Sequence, residues 1–356
     1  MLATALAACL LAVAGAGCGA GTSTARTPAP VRDATLILDF TPNAVHTGIY
    51  AALAQHYDRD EGVDLHVIAP TASTDSIKLL ETGRVSFAIL DIHDLAIARQ
   101  QHQDIVGIMA IVERPLAAVI AAPAVSSPKL LQGKTVGVTG DPSDNAVLDS
   151  EVAGSGGDPA KVKTITIGFN AVADLLAGKV AGATAFWSDE GVTIRAERPG
   201  FHVFQVQDYG APSYPELVVC VTRGTLEHDP TLIHDVVDTL VRGYNFTLAD
   251  PARGAQELDR AVPSLDPRLV ATQLNALLPA FRGPGGRVGV LDTATLGSWA
   301  RWEARFGIVR AAPDVSTTFD PSFAAAAPVP PSPAPGAAKS FATTTTGPPT
   351  RWPTRS

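Results

Sequence analysis

Cysteine is scarce: three in 356 residues, at Cys9, Cys18 and Cys220. Cys18 closes an apolar leader and Cys220 lies in the apolar run Leu217 to Val221 without a partner, so no internal disulfide framework is expected, and Cys220 reads as a buried thiol. The eight histidines show no ligand spacing, which leaves no metal site to propose from sequence. Excess positive charge is also missing. A net charge of -8 argues against nucleic-acid binding and against a polybasic membrane face. Aromatic residues make up only 6% of the chain, so each one near a candidate mouth carries weight. No internal repeat is visible.

What is present begins with a leader. Residues 1–17 are small and apolar and run into Gly15-Ala16-Gly17-Cys18, too short to span a bilayer and suited to export, cleavage and lipid attachment at Cys18. Residues 19–33 are poor in apolar side chains and read as a tether. From residue 311 onward Ala, Pro, Ser and Thr dominate, and 311–356 is expected to be a disordered tail. Trp352 within it has no physical account.

Between these ends, strand patterns alternate with helical spacing. Apolar runs at 35–40, 63–68, 87–90, 105–112, 117–121, 135–139, 163–167, 184–186, 202–205 and 216–222 predict strands, and the last third is mostly helical. An α/β architecture with largely parallel sheets follows. Its length suffices for two lobes with separate cores. Hinges are expected at 121–124 and 221–224, giving lobe 1 as 34–122 plus 222–310 and lobe 2 as 123–221, with a cleft between them.

The most informative stretch is Leu38-Asp39-Phe40-Thr41-Pro42-Asn43-Ala44-Val45-His46-Thr47-Gly48. A strand ends in an acidic and aromatic pair, turns at Pro42 and enters a helix; ligands of open α/β sheets bind beyond such strand ends. Asp39, Phe40, Asn43 and His46 are therefore candidates, although Pro and Asn are also ordinary turn punctuation. His46 with Asp39 lacks a nucleophile for a triad. Asp91, after another strand, adds negative charge and favours a cationic or amine-bearing ligand. Ser143 and Asp144 at a helix start serve equally well as caps. Trp187 ends a strand where its indole can stack on a heteroaromatic ring, and Glu190 three residues on can accept from an exocyclic amine; a core Trp and a helix-start Glu are the plain alternatives. Tyr214 either closes over a ligand or packs on its neighbouring prolines.

Leu38 to Gly48, Glu113-Arg114-Pro115-Leu116, Gly137 to Leu148, Gly168-Phe169-Asn170, Phe186 to Val192 and Asp208 to Val218 form an ordered series. In that series the chain resembles the substrate-binding proteins of ABC importers for thiamine pyrimidine precursors, related to the yeast enzyme that makes hydroxymethylpyrimidine phosphate. The resemblance covers about 38–307 and implies a two-lobed type II periplasmic-binding-protein fold, a small-molecule ligand, a membrane permease as partner and no cofactor. A lipid-tethered monomer on the outer face of the plasma membrane is the expected setting. Two departures stand out: Phe40 where the family usually has Trp, and Asp91-Ile92-His93-Asp94 where it often has Tyr and polar residues. They leave room for other cargo, such as a flavin precursor, a sulfonate or another amine-bearing heterocycle. The yeast enzyme uses pyridoxal phosphate and an iron-dependent step with a cysteine-rich motif, which this sequence does not contain.

Overall fold

Two five-stranded sheets, each fed by a strand from the other's side of the chain, organise the molecule. The computed structural model describes residues 31–141 and 143–326, so Cys18, most of the tether and 327–356 lie outside the described residues. The chain begins β1 (Arg32–Ile37), α1 (Thr47–Ala54), α2 (Tyr57–Asp60), β2 (Val63–Ile68), α3 (Asp75–Glu81), β3 (Phe87–Asp91), α4 (Ile92–Gln100) and β4 (Ile105–Ala110). It then crosses over and continues β5 (Ala117–Ala121), β6 (Thr135–Val138), α5 (Asp144–Gly154), β7 (Lys163–Thr166), α6 (Ala171–Leu176), β8 (Gly182–Phe186), α7 (Glu190–Glu197) and β9 (His202–Gln205). It returns as β10 (Leu217–Thr222), followed by α8 (Arg223–His228), α9 (Pro230–Ala249), α10 (Pro251–Ala261), α11 (Pro267–Leu277), α12 (Thr293–Arg305), α13 (Val315–Thr318) and α14 (Ser322–Ala326).

The first sheet has the order β2-β1-β3-β10-β4 and the second β7-β6-β8-β5-β9. In the first, β1 pairs in parallel with β2 and β3, while β10 is antiparallel to β3 and β4. The second repeats this plan, with β5 antiparallel to β8 and β9. The expected parallel sheets are thus correct except for the strand that has just crossed, which enters each sheet from the opposite end and must run against its neighbours.

That topology moves the hinges. The crossings lie at 111–116 and 206–216, not at 121–124 and 221–224. The strand 117–121 belongs to the second sheet and 217–222 to the first. Sequence alone favoured Pro123 and Gly224 as breaks, but these sit after the strands that the crossings deliver.

Alternation along the strands splits each core in two. Phe87, Ile89, Leu217, Val219 and Val221 face one layer of the first sheet, whereas Ala88, Leu90, Val218 and Cys220 face the other. Cys220, the one cysteine among the described residues, is buried and free. Val119 and Ile120 divide the second sheet similarly. Three helices of the last third start at Asp-Pro pairs. Asp229, Asp250 and Asp266 cap α9, α10 and α11 by accepting from Leu232 N (3.0 Å), Arg253 N (3.2 Å) and Arg268 N (2.8 Å), each with Pro in the first turn. Among the described residues no helix is long and apolar enough to cross a membrane.

Residues 311–326 correct the expected tail. Phe319 and Phe323 are buried, Phe319 bridges Gly107 of β4, and Asp314 and Asp320 accept from Ser316 N and Ser322 N at the starts of α13 and α14. A side chain at Gly107 would meet the Phe319 ring at 2.7 Å, so the missing Cβ makes the aromatic seat. Two phenylalanines were enough to dock an otherwise Ala- and Thr-rich segment.

Helix α1 lies directly against α9. A Cβ at Gly243 would fall 2.0 Å from Gly48 O and 2.6 Å from the Ala52 Cβ, and Tyr244 Oη donates to Val45 O at 2.8 Å. Gly243→Ala is therefore expected to lower unfolding free energy by at least about 1–3 kcal/mol in urea denaturation. Glu151 is fully buried in α5 with neither carboxylate oxygen hydrogen-bonded, and burial pushes its carboxyl well above the glutamate value of 4.5. A folded acid that holds its proton while the unfolded chain has lost it makes stability fall as pH rises above about 4.5. Replacing Glu151 with Gln should flatten the decline of urea midpoint between pH 5 and 8, and an unchanged pH slope would contradict this.

Candidate functional site

Past the end of β1 the backbone stays in register for one residue, with Leu38 N donating to Ile68 O at 2.9 Å, then leaves the sheet at Asp39 and Phe40. Asp39 is held by His46, whose Nε2 lies 2.9 Å from Oδ1. The His46 tautomer follows from its other nitrogen: Nδ1 accepts from Asn43 N at 3.2 Å, so the ring proton sits on Nε2 and is donated to Asp39. Asn43 Oδ1 in turn accepts from Val45 N at 2.9 Å, completing a reciprocal cap of the turn at 44–46. Asn43 and His46 are buried, and of these three residues only Asp39 reaches the cleft.

The cleft lies between the two sheets, with about 820 Å³ of empty space including its open mouth. From the first sheet's side come Asp39, Phe40, Ser73, Asp91 and Asp94. From the second come Thr139, Asp141, Ser143, Asp144, Thr184, Phe186 and Glu190. Ala117 and Ala118 of β5 form part of the lining next to the first crossing. Six of the ten expected residues thus meet: Asp39, Phe40, Asp91, Ser143, Asp144 and Glu190.

Four do not. Asn43 and His46 stand behind Asp39 as its support. Trp187 turns away and donates its Nε1 to Pro115 O at 2.9 Å, bracing the first crossing, while the preceding ring, Phe186, lines the cleft. Adjacent side chains at a strand end point to opposite faces, so only one of the pair can face the ligand. Tyr214 is fully buried with its hydroxyl 3.0 Å from His93 Nε2, because the second crossing runs beneath α12 rather than over the mouth. Neither ring faces the cleft: Trp187 is half-buried against the first sheet's core, and Tyr214 packs on His93 and Trp302 rather than on prolines.

Sequence reasoning missed Ser73, Asp94, Thr139, Asp141, Thr184 and Phe186. Asp94, Thr139, Asp141 and Phe186 all stood inside quoted runs without being named as ligand contacts. Ser73 offered no signal. Asp144 lines the cleft but is spent largely as a cap: Oδ2 accepts from Thr139 Oγ1 (2.8 Å), Gly140 N (2.8 Å) and Asp141 N (3.1 Å), and Oδ1 from Thr184 Oγ1 (3.0 Å).

Several contacts join the two sides of the cleft. Asp94 Oδ1 accepts from Ser143 N at 3.1 Å, Gln273 Nε2 donates to Asp189 Oδ1 at 2.5 Å, and the Phe40 and Phe169 rings meet edge-on at 4.3 Å. The lobes are therefore in a closed relation. Closure brings together six lining carboxylates, Asp39, Asp91, Asp94, Asp141, Asp144 and Glu190, and among the described residues no Lys, Arg or His lines the same space. Burial pushes Glu190 up to about 8, with the Asp189 charge adding to it. Asp141 is pushed up to about 6 by burial and by Asp144. Burial also raises Asp91 and Asp94 well above the usual range, helped by Glu216 and Asp141 respectively. Such a site holds protons in the absence of a cation and welcomes a positive or hydrogen-bond-donating edge.

Beneath Asp91, the donor atoms of Asp91, His93 and Glu216 lie within 4.8 Å of one another. They are engaged with the protein: Asp91 Oδ1 with His93 N, Glu216 Oε2 with two backbone N–H groups, and His93 with Glu303 and Tyr214. This is an ion-paired network, and no metal is assigned to it. The exposed group Asp33, Asp64 and His66 has Arg59 on Asp64.

Residues 43–254 match the family model described as NMT1/THI5 like, more than half of the chain and every cleft residue except Asp39 and Phe40. The chain belongs to that family. A formylaminopyrimidine-binding protein of Halalkalibacterium halodurans is 28% identical over 75% of this chain and 83% of its own length. A 4-amino-5-hydroxymethyl-2-methylpyrimidine phosphate synthase of Legionella pneumophila is 23% identical over 69% of this chain and 79% of its own. Among solved structures, the alkanesulfonate-binding protein SsuA of Xanthomonas axonopodis pv. citri, bound to MOPS, superposes with a TM-score of 0.65 at 14% identity, covering 82% of this chain and 99% of that one. The NMT1/THI5-like chain thus has the periplasmic-binding-protein fold, as the resemblance implied. Its acidic cleft is a property of its own residues. If Asp39 is a cleft contact rather than a strut for the turn, Asp39→Asn should weaken ligand binding while moving the melting temperature by less than 2–3 °C or so.

Proposed function

We propose that this protein is the extracytoplasmic solute-binding component of an ABC importer and that its cleft captures a thiamine-type aminopyrimidine. The observation that carries this reading is the place of Glu190 at the edge of a cleft whose rings are Phe40 and Phe186, where burial pushes its carboxyl up to about 8. Its Oε2 accepts from Phe186 N at 3.1 Å, which fixes the carboxyl group in place. A carboxylic acid both donates and accepts, and so matches a ring nitrogen beside an exocyclic amine, the edge that an aminopyrimidine presents. Flat rings at the mouth supply area, and the acid supplies orientation. The family and the formylaminopyrimidine-binding relative support this cargo.

A second reading keeps the role and changes the cargo to another amine-bearing heterocycle, for which the extra carboxylates Asp91, Asp94 and Asp141 speak. A sulfonate is disfavoured, since among the described residues no Lys, Arg or His lines the space to pair with an entering anion. The synthase relatives raise the possibility of an enzyme; our reading is binding without bond breakage. In this role the protein is a monomer, tethered through a lipidated Cys18 and handing its ligand to a membrane permease.

In a thermal-shift screen, aminopyrimidines should raise the melting temperature, while MOPS and other sulfonates leave it unchanged. The ligand should bind one to one and be recovered chemically intact. Glu190→Ala should weaken it more than tenfold, which corresponds to about 1.4 kcal/mol or more. Stabilisation by sulfonates but not by aminopyrimidines would overturn the reading.

A further inference from the structure

The two crossings meet at the Glu216 side chain. Glu216, the last residue of the second crossing, points its Oε2 at the backbone N–H groups of Leu116, the last residue of the first, and of Ala117 (2.8 Å), the first residue of β5. Its own carbonyl accepts from Ile92 N at 2.9 Å, and Leu217 beside it pairs with Asp91 at the end of β3. Glu216 is fully buried, and its other oxygen, Oε1, has no hydrogen-bond partner although it lies 3.7 Å from His93 Nε2. His93 is anchored from the far side by Glu303 of α12 and touches Tyr214 Oη.

Charge counting shows what this network lacks. Asp91, Glu216 and Glu303 surround a single imidazolium. Burial opposes the charge on His93, but Glu303 and Asp91 outweigh it and raise the ring to about 10. The remaining groups facing the cluster are Asp94 on α4, Tyr214 on the crossing, and Trp299 and Trp302 on α12, none of them a cation. Two carboxylates at close range in a dry site do not both ionise; they hold one proton between them. Asp91 alone of these three carboxylates also lines the cleft.

We propose that Glu216 is the positioning residue of the hinge, a staple across both crossings, and that it shares a proton with Asp91 which the positive end of a ligand on Asp91 replaces. The ligand's charge thereby reaches the hinge. This extension rests on the cleft being the ligand site, as read above. While the proton or a ligand cation sits on Asp91, Glu216 keeps its grip on Leu116 and Ala117. When neither is there, the two carboxylates repel each other and the staple loosens. The proton lost goes to solvent, and no other group changes its bonding.

Amide hydrogen exchange at Leu116 and Ala117 tests the proposal. After correction for intrinsic rates, protection of both amides in the ligand-free wild type should fall at least tenfold between pH 6 and pH 9. In Asp91→Asn, whose amide donates to Glu216 at every pH, it should stay flat. Glu216→Gln should already be poorly protected at pH 6, and if that variant does not fold, Asp91→Asn alone carries the comparison. A wild type with no pH dependence, or one with the same dependence as Asp91→Asn, overturns the staple. Saturation with 4-amino-5-aminomethyl-2-methylpyrimidine at pH 9 should restore protection in the wild type. If this probe binds and leaves both amides unchanged, the link to the ligand fails; if it does not bind, the reading of the cleft as an aminopyrimidine site fails, and the ligand-free pH comparison still decides the staple.

Discussion

The exchange of strands between the two sheets is the constraint on which the rest of the structure depends. Because β10 lies between β3 and β4, and β5 between β8 and β9, each core is completed by chain that has just left the other half. The crossings must then be short, close together and free of slack. One is six residues long and the other eleven, the latter opening with a 3-10 turn at Val206–Tyr209, and each enters an interior strand position with no room to slide. A ligand between the sheets therefore feels a joint of small and fixed travel, and the strand ends facing it, at Asp39, Asp91, Thr139 and Phe186, belong to elements that cannot move independently of the sheets.

Within that frame the cleft works against stability. Burying several carboxylates without a cation costs free energy whether they keep their charge or take up protons, and the molecule meets this partly by protonation and partly by local acceptance of N–H and O–H groups, as at Asp144. Not all of these acids are available to a ligand. Asp144 has its lone pairs filled, and Asp94 receives Ser143 N across the gap. Asp39, Asp91 and Glu190 are oriented on the protein side by His46, His93 N and Phe186 N among others, and each still lines the cleft. A ligand that brings positive charge or N–H donors relieves the same penalty that the empty cleft carries, and closure and recognition then draw on one source of free energy.

The fold was legible because strand runs such as 63–68, 117–121 and 202–205 carry their burial in their composition, and because Asp-Pro pairs mark the starts of α9 to α11. The hinges were not, since a crossing is defined by which sheet a strand joins, and apolar composition at 117–121 and 217–222 fits either sheet. The site was half legible for a related reason. Asp39, Asp91 and Glu190 follow strands, and position after a strand is a property of the sequence. Whether a ring at such a place faces the ligand depends on the parity of the strand and the path of the next loop, which separated Phe186 from Trp187 and sent Tyr214 into the core. The segment 311–326 misled by composition, because two docked phenylalanines outweigh many small residues when a glycine opposite leaves a seat.

One family holds both carriers and synthases of aminopyrimidines, and the distinction between them turns on what the cleft does to its carboxylates. An enzyme that builds a ring needs groups that take up and release protons in turn, and these must exchange with solvent or with each other during a cycle. Here the groups with the most perturbed acidity are fixed by backbone donors at strand ends or locked into ion pairs beneath the hinge, as Glu190 is by Phe186 N and His93 by Glu303. Groups fixed in this way favour capture and release, because a pocket that presents one hydrogen-bonding pattern loses little entropy on closing.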